Sequence, residues 1–346
     1  MRLLHLLIVI VLLAVSVQAA AAVDVAVTGF ADTRASYTMG DTDAFGFAFH
    51  SSRVIFGARL APWISSVIQF GTNPGSTEVG LGTATVNLNS VGEGTKMSLA
   101  MGRFPVPMGL ASGWYLSPNN AFAYQPSVTE FGIGSRNGGW SDVGAMGTMQ
   151  ADMFRLQAYV VQGNMPNTRI IAANNPLNPN KGIAVGARAV FTPIDGLGIG
   201  LSYCLNGRQA HAAATDPDPD ENNNKSIIAG DISWALGPAT LSFEYLAWMP
   251  HFTFDERKDV WFAQFEFDLA KVAGIPVTPG VRYDHISGSV LSTAALPDAE
   301  SGSALTIQAY YKFEKYLRIG LSFRTESGTS ATPPDDVITL QVLGMF

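Results

Sequence analysis

The connections in this chain alternate in length, short then long, between segments in which apolar and polar residues alternate one by one. The pattern runs to the end of the chain, Asp336-Val-Ile-Thr-Leu-Gln-Val-Leu-Gly-Met-Phe346. One-by-one alternation marks a strand with two different faces. Alternating connection lengths mean a sheet that runs up and down between two environments, one admitting only tight turns and the other long excursions. Together they predict an all-β fold, a transmembrane antiparallel up-and-down β-barrel with periplasmic turns and extracellular loops. A barrel of this size encloses a water-filled lumen.

Sixteen such segments result, the first at 23–37 and the last at 335–346. A hairpin merged or split would give 14 or 18. Long loops are expected at 38–50, 71–82, 105–141, 163–180, 206–224, 249–256, 286–302 and 326–334, each after an odd-numbered strand. Both ends then lie on the turn side, and the sheet can close. Closure is required in lipid, where an open edge would leave backbone groups unpaired.

The two-residue period assigns faces. Leu317, Ile319, Leu321 and Phe323 are expected to face lipid, with Arg318, Ser322 and Arg324 facing inward. The same alternation turns Arg53, Arg59, Arg155, Arg188, Arg282 and Lys312 inward, together with Asp231, Glu244, Glu266, Asp268 and Asp284. A charge on the lipid face near the midplane costs about 2–4 kcal/mol, so these residues belong in the lumen. There they either set a transverse field for passing ions or pair across strands and stiffen the wall. Trp63, Trp234, Trp248 and Trp261 fall near strand ends and are candidates for the aromatic girdles at the membrane interfaces.

The composition agrees. The chain is 47% hydrophobic yet only 14% charged, with 35 glycines. Beyond residue 22 no stretch approaches the ~18 uninterrupted apolar residues that a membrane helix needs. Residues 1–22 read as a secretory signal peptide: Arg2, an apolar run from 3 to 17, then small-residue cleavage sites. The barrel domain is expected over 23–346. Without Arg2 the mature chain has 20 basic and 28 acidic residues, a net charge of −8, which argues against nucleic acid as a partner. The expected surroundings are the lipid bilayer and lipopolysaccharide. Phe346, closing an alternating segment, is the expected recognition point for the barrel-assembly machinery. The single cysteine, Cys204, excludes an intrachain disulfide and a lipoprotein anchor.

The longest connection, 105–141, is the third extracellular loop and the candidate constriction. It carries Trp114, Tyr115, Asn119, Asn120, Tyr124, Glu130 and Arg136. Its aromatic residues could pack on the inner wall while its amides offer donors to a solute. No enzyme chemistry is indicated. His50, His211, His251 and His285 stand in no HExxH spacing, and neither a G-x-S-x-G elbow nor a phosphate-binding loop is present. No cofactor is expected, and no metal. The acidic run Asp216-Pro-Asp-Pro-Asp-Glu221 lacks the glycine and distal glutamate of an EF-hand loop and reads as a solvated outer loop.

Lys96–Leu110, KMSLAMGRFPVPMGL, resembles the phosphate-selective porin O and P family in its glycine, basic residue and proline-containing exit from a strand. The fragments SRNGGWSDVGAMGTM, YVVQGN, GPATLSFEYLA and VRYDHI follow in the order of that family. The resemblance spans most of the chain past residue 22 and implies a 16-stranded, usually trimeric outer-membrane diffusion channel. It would also imply a basic lumen leading to lysines. Here 21 Lys and Arg face 28 Asp and Glu, and the third loop holds one basic residue, Arg136, and one acidic, Glu130. The lysines of the family's phosphate site therefore map onto no position. The expected function is a water-filled channel for small hydrophilic solutes and ions. The alternatives are an anion- or phosphate-selective channel, or a barrel sheathing a periplasmic partner such as a multihaem cytochrome.

Overall fold

The structure, a computed structural model, describes residues 24–40, 43–61, 63–73, 76–88, 94–111, 120, 122–124, 126, 141–162, 183–206, 225–250, 258–287, 302–328 and 336–346. Sixteen antiparallel strands form one closed sheet, each bonded to its neighbours in sequence and the last to the first. They are β1 (Asp24–Met39), β2 (Ala44–Ala61), β3 (Ile64–Asn73), β4 (Ser76–Asn87), β5 (Thr95–Pro105), β6 (Ser141–Ala151), β7 (Phe154–Val161) and β8 (Ala184–Ile194). The second half is β9 (Leu197–Asn206), β10 (Lys225–Leu236), β11 (Ala239–Pro250), β12 (Lys258–Phe267), β13 (Val277–Ser287), β14 (Gly302–Phe313), β15 (Leu317–Gly328) and β16 (Asp336–Met345). A one-turn helix, α1 (Ala270–Ala273), sits in the turn between β12 and β13.

The seam closes from Phe30 opposite Met345 to Met39 opposite Asp336. It ends in a reciprocal pair, Gly29 N–H to the Phe346 carbonyl at 2.9 Å and Phe346 N–H to the Gly29 carbonyl at 3.0 Å. No strand edge remains for lipid to meet. Among the described residues no helix is long and apolar enough to cross a membrane.

Two expected loops are instead largely strand. β1 runs to Met39 and β2 begins at Ala44, and β3 runs to Asn73 and β4 begins at Ser76, so most of the loops expected at 38–50 and 71–82 is strand. The small residues Gly46 and Ala48 gave the first of these segments a loop-like look. Yet they alternate with Phe45, Phe47 and Phe49, which lie opposite Tyr37, Ala35 and Thr33 of β1. A register shift between Asp32 and Thr33 absorbs the extra residue and lets the ladder continue. The β3–β4 ladder shows the same device between Gln69 and Phe70. The long connections after β5, β7, β9, β11, β13 and β15 stand where the sequence put them.

The outward face is apolar and aromatic. Phe154 stacks on Phe191 with ring centroids 4.8 Å apart, and Trp261 lies 5.4 Å from Tyr283. The side chain of Trp248, one of the girdle candidates, lies outside the described residues. The inward face is polar and largely buried, and the third loop packs on part of it.

Candidate functional site: the third loop against the inner wall

Loop 3 leaves β5 at Pro105 and turns into the barrel. Val106, Met108 and Ala111 are buried in one apolar cluster with Tyr159 and Val161 of β7, Ala184 of β8, Cys204 of β9, Ile227 and Ala229 of β10, Leu246 of β11, and Val260 and Phe262 of β12. The wall residues are apolar although they point inward. That exception to the polar lumen makes a seat for the start of the loop.

Polar bonds fix the loop on that seat. Ala111 N–H donates to Glu244 Oε2 at 2.7 Å, and Gly109 N–H to Ser202 Oγ at 3.1 Å. Arg188 donates to the same Ser202 hydroxyl at 3.0 Å and grips Asp231 through two bonds of 2.6 and 2.9 Å. Gly109 has φ +67°, and a Cβ there would collide with the Glu244 carboxylate. Only glycine satisfies both the left-handed backbone and the close approach.

The loop next touches the wall again, at β13, β14 and β16. Asn120 closes a small turn, its Oδ1 accepting from Phe122 N–H at 3.1 Å and its Nδ2 donating to the Tyr124 carbonyl at 3.0 Å. Ala123 N–H donates to Gln308 Oε1 of β14 at 2.7 Å. Arg282 of β13 donates to the Tyr124 carbonyl at 3.0 Å and lies 4.9 Å from the Phe122 ring centroid. The Tyr124 hydroxyl pairs with Thr339 Oγ1 of β16 at 2.6 Å, and the Arg324 guanidinium sits 5.3 Å from the centre of its ring. In a ring of sixteen, β13 stands eight strands from β5. The described part of the loop therefore reaches from its own strand to the far wall.

The ladders put the charged residues singled out in the sequence on the inward face, but in two different conditions. Arg188, Asp231, Glu244, Arg282, Arg318 and Arg324 are buried, as is Arg53, whose guanidinium fills the space over Gly71. Several are paired: Arg188 with Asp231, Arg282 with Asp284 at 2.9 Å, and Arg324 with Glu326 at 2.6 Å. Arg59, Arg155 and Lys312 are exposed near the turn side. Glu266 accepts from Gln264 Nε2 at 2.7 Å. Asp268 lies just past the end of β12, where its carboxylate accepts from Ala270 N–H at 3.1 Å and caps the turn. Of the residues expected in the constriction, Asn120 and Tyr124 touch the wall as described. Trp114, Tyr115, Asn119, Glu130 and Arg136 lie outside the described residues, as does the acidic run at 216–221.

Sequence reasoning missed the inward pair Asp32–Arg34, at 2.9 Å, and the neutral inward residues Gln69, Gln157, Thr339 and Gln341. It also missed the apolar seat. Its signal was present, since six consecutive strands, β7 to β12, carry apolar residues at inward positions near their loop-side ends. Among the described residues no cluster of three or more metal-ligating side chains occurs.

A closed ring of sixteen antiparallel strands, with a polar inner face and the third loop folded inward, is the porin fold. Solved porins superpose on most of the chain at low identity. The anion-selective porin of Comamonas acidovorans matches with a TM-score of 0.65 and 11% identity, covering 94% of this chain and 100% of that one. Salmonella typhi OmpF, solved in complex with daunomycin, gives 0.68 and 14%, with 93% and 97% covered. The outer membrane channel DcaP of Acinetobacter baumannii gives 0.66 and 11%, with 94% and 98% covered. No protein-family model matches the sequence, and no curated protein sequence does. The resemblance to the phosphate-selective family thus stands at the level of the porin fold.

Proposed function

We propose that this protein is a bacterial outer-membrane porin, a water-filled channel through which small hydrophilic solutes and ions diffuse passively. The observation that carries the reading is the third loop bonded to the inner wall of a closed barrel at two separate places, first at β9 and β11 and then at β13, β14 and β16. A loop so placed narrows the lumen without sealing the ring around it. The charged rim then sets which ions pass, and concentration gradients drive the flux. Arg59, Arg155 and Lys312 are the cations open to solute, whereas the buried pairs hold the loop and stiffen the wall. The loop residues 112–127 form the constriction.

Selectivity follows from the balance of charge. Buried carboxylates offset most buried guanidiniums, so the channel is weakly selective rather than phosphate-specific. Nothing in the third loop supplies the lysines that phosphate capture would use. The protein is not an enzyme. A sheath for a multihaem cytochrome needs a clear bore, and a loop spanning the lumen removes it. The remaining parts of the reading are a leader at 1–22 removed on export, a homotrimer embedded among lipid and lipopolysaccharide, and assembly machinery that reads Phe346.

The test is a planar-bilayer recording of the purified protein under a KCl gradient, repeated after deletion of residues 112–127. Stepwise conductance with a reversal potential near zero supports the reading, and the deletion is expected to raise the unit conductance. Absence of channel steps from folded protein would overturn the porin function. Unchanged unit conductance in the deletion would remove the loop from the constriction.

A further inference from the structure

The outward face of β12 to β16 is not smooth. It carries an apolar trench of about 550 Å³. Its floor is Pro279 and Ala309, two short side chains directly opposite each other on β13 and β14. Its walls are Phe265, Ile307, Leu321 and Phe323. Toward the turn side the same faces continue as Tyr311 and Phe313, with ring centroids 4.3 Å apart. Beyond them two exposed lysines mark the turn level. Lys315, between β14 and β15, has its ammonium 5.0 Å from the Tyr316 ring centroid. Lys271, in α1, donates to the Gly237 carbonyl at 2.9 Å. The two turns are stitched together by Lys312 N–H donating to the Pro276 carbonyl at 2.9 Å. Of the nearby carboxylates, Asp268 caps α1 and Glu314 stands beside Lys315.

We propose that this trench holds one acyl chain of an anionic glycerophospholipid of the periplasmic leaflet, whose phosphate lies against Lys315 and Lys271. The depth matches. Four residues carry β14 from Ala309 to its end at Phe313, roughly 13 Å along a strand, and Lys315 stands in the turn just beyond. At the usual barrel tilt of about 40° that puts the trench floor roughly 10 Å inside the turn level, within one leaflet of a hydrocarbon layer ~30 Å thick. A chain anchored by its phosphate at the lysines therefore ends in the trench. Charge settles the leaflet side, because the two lysines lie at the turn end of the trench. An apolar chain fills the groove by dispersion and burial, and each lysine adds attraction to an anionic surface. The assignment rests on the membrane-spanning reading but not on conductance.

The test compares wild type, Ala309→Trp and Lys315→Glu, each refolded with phosphatidylglycerol and phosphatidylcholine vesicles and transferred to mild detergent. Native mass spectrometry then reads the retained lipid. Wild type is expected to keep one phosphatidylglycerol per barrel. Ala309→Trp fills the trench and loses it, while Lys315→Glu loses the preference for phosphatidylglycerol over phosphatidylcholine. Both variants should keep wild-type channel steps, which separates failure here from failure of the porin reading. Undiminished lipid in Ala309→Trp would overturn the site. So would breakdown of an oligomer in that variant without lipid loss, which would make the trench a subunit contact. An unchanged head-group preference in Lys315→Glu would overturn the lysine anchor.

Discussion

Replacing Gly109 by alanine tests whether the loop is held in the lumen as described. The residue adopts φ +67°, and an added Cβ meets the Glu244 carboxylate head-on. The left-handed backbone alone costs alanine about 1–2 kcal/mol. The carboxylate cannot stay where it is, so its bond from Ala111 N–H is lost, a bond to a charged group that contributes about 1.5–3 kcal/mol. Together these come to about 2.5–5 kcal/mol, which at ~1.4 kcal/mol per decade raises the unseated loop population by roughly two to three and a half orders of magnitude. The barrel itself depends on none of these bonds. Single-channel recording of G109A should therefore show larger or flickering conductance levels, while the folded barrel resists heat and detergent like wild type. Gly147, where a Cβ would meet nothing within 4 Å, is the control, and G147A should be silent. Wild-type conductance and current noise in G109A would refute the seat.

Other perturbations probe separate parts. Removing one partner of the buried Arg188–Asp231 pair leaves a lone charge, so R188A should lower barrel stability by about 3–5 kcal/mol, read as an earlier loss of the compact band in a heated gel. The double variant R188M/D231L should recover much of that. Arg282→Lys cannot both donate to the Tyr124 carbonyl and lie against Phe122 as the planar guanidinium does, so it should increase current noise, whereas a change confined to stability would count against the anchor. Lys312→Glu reverses an exposed inward charge and should move the reversal potential toward cations, an effect that shrinks at high salt. Gly29→Val drives a side chain into the Phe346 ring at the seam and should lower the yield of folded barrel in refolding assays.

How far the fold was legible can be argued from particular strands. The paired alternation of Leu317–Phe323 with Arg318–Arg324 is a property of adjacent residues, so faces could be read without any partner. Strand count followed because each turn carries its own chemistry, as in Leu236-Gly-Pro238. The upper parts of β2 and β4 were missed because glycine- and alanine-rich strand resembles loop until a partner strand fixes its register. Asp32–Arg34 was missed for a related reason, being spaced by two on a strand whose inward set becomes clear only at the β1–β16 seam. The loop's interior position was expected from its length and aromatic content. Its anchors were not, because Glu244 and Gly109 are separated by 135 positions and only the closed ring brings them together.

The two seats of the loop differ in a way that bears on how a channel can hold a fixed width. At the first seat, apolar burial of Val106, Met108 and Ala111 supplies most of the attraction, but an apolar contact is non-directional and would tolerate sliding. Glu244 and Ser202 remove that freedom, because each accepts from one particular backbone N–H. At the second seat Phe122 and Ala123 are buried as well, and direction comes from Arg282, Gln308 and Thr339, which hold a turn already closed by Asn120. A loop tied only at the apolar seat would swing about it, and one tied only at the polar seat would trade its bonds for water. With both, the loop is held to two neighbouring sectors of the wall, β9–β11 and β13–β16. Its position in the lumen is then set by several directional bonds at once, and no single side-chain rotamer can shift it.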